Sequence, residues 1–436
     1  MHKLSLRIRK IMSVVTKCVQ LGRQLLRALR YPPCLFLMFM TLSLLVVMPL
    51  LSSNIPMSKL YSKYHNDDIS LQMAQELNDQ RFRKAYQYFE SLDKQRSREF
   101  HNLAKDSKPD LVISIITTHR RFSSGFTHYL IQTAAVVDQM VKADNSFSNV
   151  MLFICNVDNS PGDHRDAVIL QDYIPYVQMK GPNSFNFTFG TFDFRAKNLD
   201  TARGQELKDY LFCLNVSQHW KSDYVFMLED DVIPYKNALN VIHYILKKHS
   251  FLHSSHGKPN IAGREFSFLK LYFPERWQGF ANEADRVVEL ISYGLVGGAL
   301  VLALISVTCV CQLELTYKTK LFIYTVGCVL TIYSVALLDR QQVMEFRRLS
   351  PQLFRLAPTP ACCTPAMLYS SHVIPRLITH LIDVSHMNKD LAIFNFIQHE
   401  HIPGYLLEPN LVRHIGMYTS LQNQHKPPSE FLFNIE

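Results

Sequence analysis

The first thirty residues contain no aspartate or glutamate, although they carry Lys3, Arg7, Arg9, Lys10, Lys17, Arg23, Arg27 and Arg30. These cations account for nearly all of the formal charge of +9 on the 436-residue chain, so the remainder is close to neutral. That excludes a nucleic-acid-binding face, which needs Lys and Arg spread over the folded domain. Charge of either sign is absent from Tyr31 to Ser58, the stretch YPPCLFLMFMTLSLLVVMPLLSSNIPMS. A bilayer core of about 30 Å needs around 20 apolar residues, and this run is long enough. It lacks the short apolar core and small-residue cleavage site of a removed signal peptide, so it reads as a signal anchor. The positive charge before it places the N-terminus in the cytosol and everything after the span in the lumen or outside.

Two further runs lack charge: Leu290 to Leu313 and Leu321 to Leu338, separated only by ELTYKTK. Uncharged runs of about 18 to 24 residues exceed what a core helix usually supplies, so we read a membrane hairpin. Two crossings return the chain to the side it left, so residues 59–288 and 340–436 share a compartment and are able to form one domain. The predicted organisation is a cytosolic tail 1–33, an anchor 34–52, a lumenal stem 53–108, a first catalytic part 109–288, the hairpin 289–338, and a second catalytic part 339–436.

Cysteines outside the spans and the tail are few: Cys155, Cys213, Cys362 and Cys363. Disulfides are permitted in that compartment, and the pairing stays open between a Cys362–Cys363 bridge and separate partners. Asn186 in NFT and Asn215 in NVS are sequons compatible with a secretory lumen.

Residues 70–105 are charged, with Leu71, Ala74, Leu77, Ala85, Phe89 and Leu92 near helical spacing, which predicts a stem helix acting as a spacer. From Pro109 the pattern changes. DLVISIITT reads as a buried strand, Gly125 to Val141 as a helix and NVMLFICNV as a second strand. Leu207, Tyr210, Leu211, Leu214 and Gln218 form one helical face, and YVFML is a third strand. Alternating helices and apolar strands predict an α/β domain with a mostly parallel sheet, whose ligands gather beyond the carboxyl ends of the strands.

At that rim the third strand runs directly into Glu229, Asp230 and Asp231. Two carboxylates about 4 Å apart repel by about 4 kcal/mol near a protein surface, so such a cluster needs water or a cation among its members. Strand alternation would put Glu229 and Asp231 on one side and Asp230 on the other. Paired oxygen donors suit Mn²⁺ or Mg²⁺. His243, His249, His253 and His256 imitate a metal cluster, but their neighbours Lys247, Lys248, Ser254, Ser255 and Gly257 indicate a solvated helix end and loop.

With these features the chain resembles a Golgi glycosyltransferase of the GT-A type. Within that class it resembles the GPI-anchor N-acetylgalactosaminyltransferase family, on the N-terminal anchor, the EDD trio and the hairpin inserted into the catalytic domain. The segment PNLVRHIG is similar to the C-terminal segment of related N-acetylglucosaminyltransferases, where a histidine nears the metal and diphosphate; here it is His414. The resemblance implies transfer of N-acetylgalactosamine from UDP-GalNAc to the first mannose of a GPI glycan, with inversion, in the Golgi. It implies a metal held by Asp231, Glu229 and His414, with Asp230 beside the donor. A carboxylate must take the acceptor proton, and Asp390, at the start of an apolar helical pattern, is the candidate. Arg120 and Arg121 are candidates for the diphosphate and Asp158 for the ribose. Trp277, after Arg276 and before the hairpin, is a candidate for sugar stacking. Competing readings are an N-glycan branching N-acetylglucosaminyltransferase and a non-catalytic membrane scaffold with a transferase-like lumenal domain.

Overall fold

Runs of β-branched and aromatic residues become strands here, and the amphipathic stretches between them become the helices that cover the sheet. The computed structural model describes residues 37–38, 40–53, 55, 58–60, 67–93, 108–120, 127–180, 202–249, 266–281, 283–309 and 316–418. The chain divides into two units: Met1–Lys63 with Gly279–Val343, and Tyr64–Gln278 with Met344–Glu436.

In the second unit, α1 (Asp67–Glu90) leads into β1 (Leu111–Thr117), α2 (Tyr129–Ala143), β2 (Val150–Asn156), α3 (Arg165–Leu170) and β3 (Tyr176–Gln178). Then come α4 (Ala202–Gln218), β4 (Tyr224–Glu229), β5 (Val232–Pro234), α5 (Ala238–Lys248) and β6 (Phe268–Lys270). Beyond the hairpin follow β7 (Arg355–Pro358), β8 (Ala366–Ser370), α6 (Ile374–Asp383), α7 (Lys389–Glu400), β9 (Tyr405–Glu408) and β10 (Val412–His414).

The 8-stranded sheet has the order β3-β2-β1-β4-β8-β6-β9-β7. Strands β3, β2, β1 and β4 are mutually parallel, whereas β8 and β7 run against their neighbours. Because side chains alternate along a strand, Leu111, Ile113 and Ile115 join the core under α1, α2, α3 and α5, while Val112 joins the core under α4, α6 and α7. The result is a three-layer α/β arrangement. Cys155 of β2 is bonded to Cys213 of α4 on the second face, and Cys362 is bonded to Cys363.

Strand β8 lies between β4 and β6, so the sheet is built from chain on both sides of the hairpin. Both flanks must therefore occupy one compartment, and any membrane crossings between them must be even in number.

For residues 70–93, the described part of that stretch, the spacer reading does not survive. Helix α1 buries Ala85 and Phe89 in the main core, and Ala74 packs with Met417. Polar contacts to α2 fix it further: Arg81 Nε donates to Gln132 (3.0 Å) and the Tyr88 hydroxyl to Asp138 (2.6 Å). Near-helical spacing was visible in the sequence, but the surface it would meet was not.

In the first unit the helices Ala284–Cys309 and Tyr317–Leu338 are long and apolar enough to cross a membrane, and 17% of the residues in each apolar window are buried. They suggest membrane association. Glycine allows their close approach, since a Cβ on Gly298 would overlap Cys328 Sγ and one on Gly297 would overlap Thr331. Buried Arg340, just after the second helix, pairs with Glu289 in the first at 2.8 Å. Of three expected spans, two such helices occur among the described residues. The expected N-terminal anchor is represented there by the shorter apolar helix Met40–Ser52, with residues 1–36 outside the described set.

Phe89→Ala should destabilise the protein by about 3–5 kcal/mol, as for other buried aromatic truncations. Denaturant unfolding of the detergent-solubilised chain checks this; a spacer helix would give almost no change.

Candidate active site

Strands β1 and β4 are adjacent, with Ile116 paired to Glu229, so both release the chain at the same rim. Strand β4 ends at Glu229, and Asp230 and Asp231 form a turn before β5. The turn cancels the expected alternation, because strand geometry stops where its hydrogen bonding stops. Asp230 and Asp231 both face Arg120, from the segment after β1: Nη1 lies 2.6 Å from Asp230 Oδ1 and Nη2 lies 3.0 Å from Asp231 Oδ2. All three side chains are almost fully buried. Burial works against the guanidinium charge, but Asp230 and Asp231 outweigh it and raise the Arg120 pKa above its ordinary value. A guanidinium is thus one cation that the acidic trio requires.

Glu229 has a different partner. Lys389, the first residue of α7, is buried and places Nζ 2.6 Å from Glu229 and 2.8 Å from Glu206 of α4. The structure therefore separates the trio into an aspartate pair on Arg120 and a glutamate on Lys389, where the sequence reading had joined Glu229 with Asp231.

The second oxygen of Asp230 accepts from the Thr117 hydroxyl at 2.6 Å. Thr117 Oγ1 is also 2.7 Å from His164 Nε2. Since the single hydroxyl proton goes to the carboxylate, Nε2 must be the protonated nitrogen, donating to Thr117. Burial lowers the His164 pKa to about 4, so this relay operates with a neutral imidazole.

The last part of the chain closes the site. Strand β10 pairs antiparallel with β5, setting His414 opposite Val232. His414 Nε2 then lies 3.5 Å from Asp231 Oδ2, longer than a well-formed hydrogen bond, and its ring stacks on Tyr272 at 5.7 Å. The Ile415 amide donates to the Asp231 carbonyl at 2.8 Å. Two residues after His414 the backbone passes so close that a Cβ on Gly416 would overlap the Asp231 carboxylate. Tyr129 supports both sides, its ring 5.2 Å from the Arg120 guanidinium carbon and its hydroxyl accepting from the Met417 amide at 3.1 Å.

A carboxylate oxygen and an imidazole nitrogen converging from one ribbon are donors that Mn²⁺ accepts, so Asp231 and His414 fit a metal. Glu229 fits it poorly, because Lys389 holds it. Cys362, Cys363 and Asp390 also cluster, but the cysteines are bonded to each other and offer no thiolate.

The other candidates lie elsewhere. Asp158 accepts from Thr118 (3.1 Å), the His119 amide (2.9 Å) and the Ser160 amide (2.7 Å), so it holds the turns after β1 and β2 together. Asp390 accepts from the Cys363 amide (2.8 Å) and the Thr364 hydroxyl (2.6 Å). Lys270 Nζ holds the same loop from the other side, donating to the carbonyls of Pro360 (2.8 Å) and Cys362 (2.6 Å). Trp277 is exposed, near Phe273 and beneath Arg276. Arg121, His253 and His256 lie outside the described residues; His243 packs edge-on against Phe147 and His249 caps α5.

Residues 111–413 match the family described as GPI-N-acetylgalactosamine transferase PGAP4. The chain belongs to this family. The match begins at the first residue of β1 and ends within β10, so it contains Arg120, the acidic trio, Lys389 and Asp390. The family name indicates a glycosyltransferase for N-acetylgalactosamine and implies a GPI glycan as acceptor.

Thr117, His164, Glu206, Lys389 and Gly416 were not singled out from sequence. Gly416 left a trace there, as the glycine closing PNLVRHIG, and Lys389 directly precedes the candidate Asp390.

Gly416→Ala should shift the Asp231 carboxylate or part β10 from β5, at a cost of about 1–3 kcal/mol in stability. Thermal unfolding against wild type measures it, and an unchanged midpoint would contradict the contact.

The His164 pKa also predicts a pH dependence. A histidine near 6.5 when unfolded and about 4 when folded binds its proton first in the unfolded state. Stability is therefore full above pH 6.5 and lost as pH falls toward 4, by up to about 3 kcal/mol. His164→Asn should flatten this part of a stability-versus-pH curve.

Proposed function

We propose that this protein is a metal-dependent, inverting glycosyltransferase of the GT-A type. It would transfer N-acetylgalactosamine from UDP-GalNAc to the first mannose of a GPI anchor in the Golgi lumen. Family membership supports the reaction and acceptor class. The observation that carries the site is the convergence of Asp231, His414 and Arg120 at the carboxyl ends of β1 and β4.

In this reading Asp231 and His414 hold Mn²⁺ or Mg²⁺, which when bound supplies Lewis-acid stabilisation of the departing diphosphate. The chain's own residues do the rest. Asp230, gripped by Arg120 and Thr117, fixes the turn so that Asp231 is presented without rearrangement. Lys389 offsets one of the two charges of Glu229 and Glu206, which lowers local negative charge where a nucleotide must approach. Glycine at 416 lets the closing strand seal one side of Asp231 against water. Asp390, next to Lys389 in the chain, is proposed as the acceptor of the mannose hydroxyl proton in addition to its hold on the Cys363–Thr364 loop. Its oxygens already accept two hydrogen bonds, so it would act through its remaining lone pairs.

One observation favours a second reading of the charge chemistry. Arg120 already places a buried cation on both aspartates, and a guanidinium suits phosphate as well as carboxylate. Transfer could then proceed without metal, with Arg120 as the diphosphate's partner.

The test uses the purified full-length chain with a panel of UDP-sugars and a GPI glycan, with and without Mn²⁺ and EDTA. Asp231→Ala should lower UDP-GalNAc-dependent transfer by about 10²–10³-fold with the fold retained, the usual scale for removing transition-state charge stabilisation. Full activity in EDTA with an intact wild type would favour the arginine reading. Full activity of Asp231→Ala would overturn the site.

A further inference from the structure

We propose that the catalytic unit carries its own membrane-contacting patch, formed by Trp277, Phe346, Leu349 and Leu353 with Arg276 and Arg347, which seats in a phospholipid interface. The inference rests on the glycosyltransferase reading for its purpose, but the contact itself is testable alone.

Four large apolar side chains stand out from two short segments: Trp277 is 44% exposed, Phe346 66%, Leu349 82% and Leu353 49%. Single exposed leucines are ordinary on a soluble surface, whereas a group of them beside cations marks an interaction site. These residues are displayed by ordered backbone. Glu275–Trp277, Glu345–Leu349 and Pro351–Leu353 are 3₁₀ turns, Ser350 Oγ accepts from the Gln352 amide at 3.4 Å, and Arg347 Nη1 donates to the Leu353 carbonyl at 3.4 Å.

The two segments belong to one neighbourhood of the unit. The Arg348 guanidinium lies 3.8 Å from the Tyr235 ring centre and makes a two-pronged pair with Glu345, at 2.5 and 3.0 Å. The Tyr235 amide donates to the Leu411 carbonyl at 3.0 Å, and Leu411 follows Asn410. Asn410 ties Glu275 and the Phe273 carbonyl together at 2.9 and 2.8 Å.

The chain itself argues for lipid as the occupant. Trp277 lies just before the apolar helix that starts at Ala284, and Phe346 lies just after the one that ends at Leu338. Fewer than ten residues separate each from its helix, a tether of at most about 35 Å. Tryptophan favours the membrane–water boundary, and arginine there meets phosphate headgroups. Arg276, over the Trp277 ring, and Arg347, donating to the Leu353 carbonyl, place guanidinium groups beside these apolar side chains, the combination that suits an anionic lipid interface.

The patch also connects to the site. Tyr235 follows β5 directly and is 5.4 Å from the guanidinium of Arg413, the residue before His414. A surface resting on the bilayer would thus fix the height of the ribbon that carries Asp231 and His414, where a lipid-anchored glycan is presented.

The chain has only two tryptophans, Trp220 and Trp277, which makes the test direct. Trp220→Phe in nanodiscs containing brominated phosphatidylcholine leaves Trp277 as the emitter, and its fluorescence should fall at least two-fold relative to unbrominated lipid. Leu349→Trp, in a chain with both native tryptophans changed to Phe, should be quenched likewise. A joint Phe346→Ser, Leu349→Ser and Leu353→Ser variant should lose at least five-fold in transfer to lipid-anchored acceptor, with transfer to a soluble mannose acceptor unchanged. Absence of lipid quenching at both positions overturns the patch. So does protection from aqueous acrylamide without lipid quenching, which would mean a protein covers it. Quenching in a chain with no transferase activity would uphold the patch and remove the enzymatic reading.

Discussion

The buried guanidinium of Arg120 is the constraint around which the site is organised. Two adjacent aspartates at the end of a buried strand are tolerable only with a cation on them, since desolvation and mutual repulsion both oppose their charge. Arg120 meets both with separate nitrogens, so the turn's geometry and its electrostatics are satisfied by one side chain. Thr117 and His164 complete the hydrogen bonding of Asp230, and Tyr129 supports the guanidinium from its face. Removing Arg120 would leave two buried carboxylates unmatched, and removing Thr117 would leave Asp230 short of a hydrogen-bond donor.

The same neighbourhood depends on chain that arrives last. Strand β8 must enter beside β4, and β10 must lie against β5, before Asp231 has the walls it needs. The apolar hairpin intervenes between these pieces, so the site is complete only after the chain has passed through it and returned. This ordering joins membrane insertion to assembly of the catalytic unit without any contact between the two being required.

A lipid-anchored acceptor gives that arrangement a use. The glycan of such an acceptor is confined to a thin layer above the headgroups, and an enzyme that meets it repeatedly gains from a fixed orientation. Exposed Phe346 and Leu349 are costly in water and favourable at a lipid boundary, and they stand on turns bonded through Arg348 and Tyr235 toward the acidic ribbon. The proposed patch and the acidic ribbon thus share Tyr235 as a neighbour, through Arg348 on one side and Arg413 on the other.

Much of this protein was legible as local pattern. Length without charge marked the hairpin, apolar β-branched runs marked β1, β2 and β4, and the EDD trio marked the rim, because hydrophobic periodicity and chain length are properties of neighbours in sequence. The identity of the partners was not legible. Arg120 lies 111 positions from Asp231, and Lys389 lies 160 from Glu229. Nothing near Lys389 distinguishes it from a solvated helix cation, and nothing in residues 70–105 shows that Phe89 meets a core and not water. Even the alternation expected for Glu229 and Asp231 failed, because the strand ends at Glu229, two residues before Asp231. The sequence alone determined the strands, the apolar spans and the need for a cation; the tertiary structure decided which cation and which aspartate, since ion pairs and glycine-sized gaps depend on distances that only packing creates.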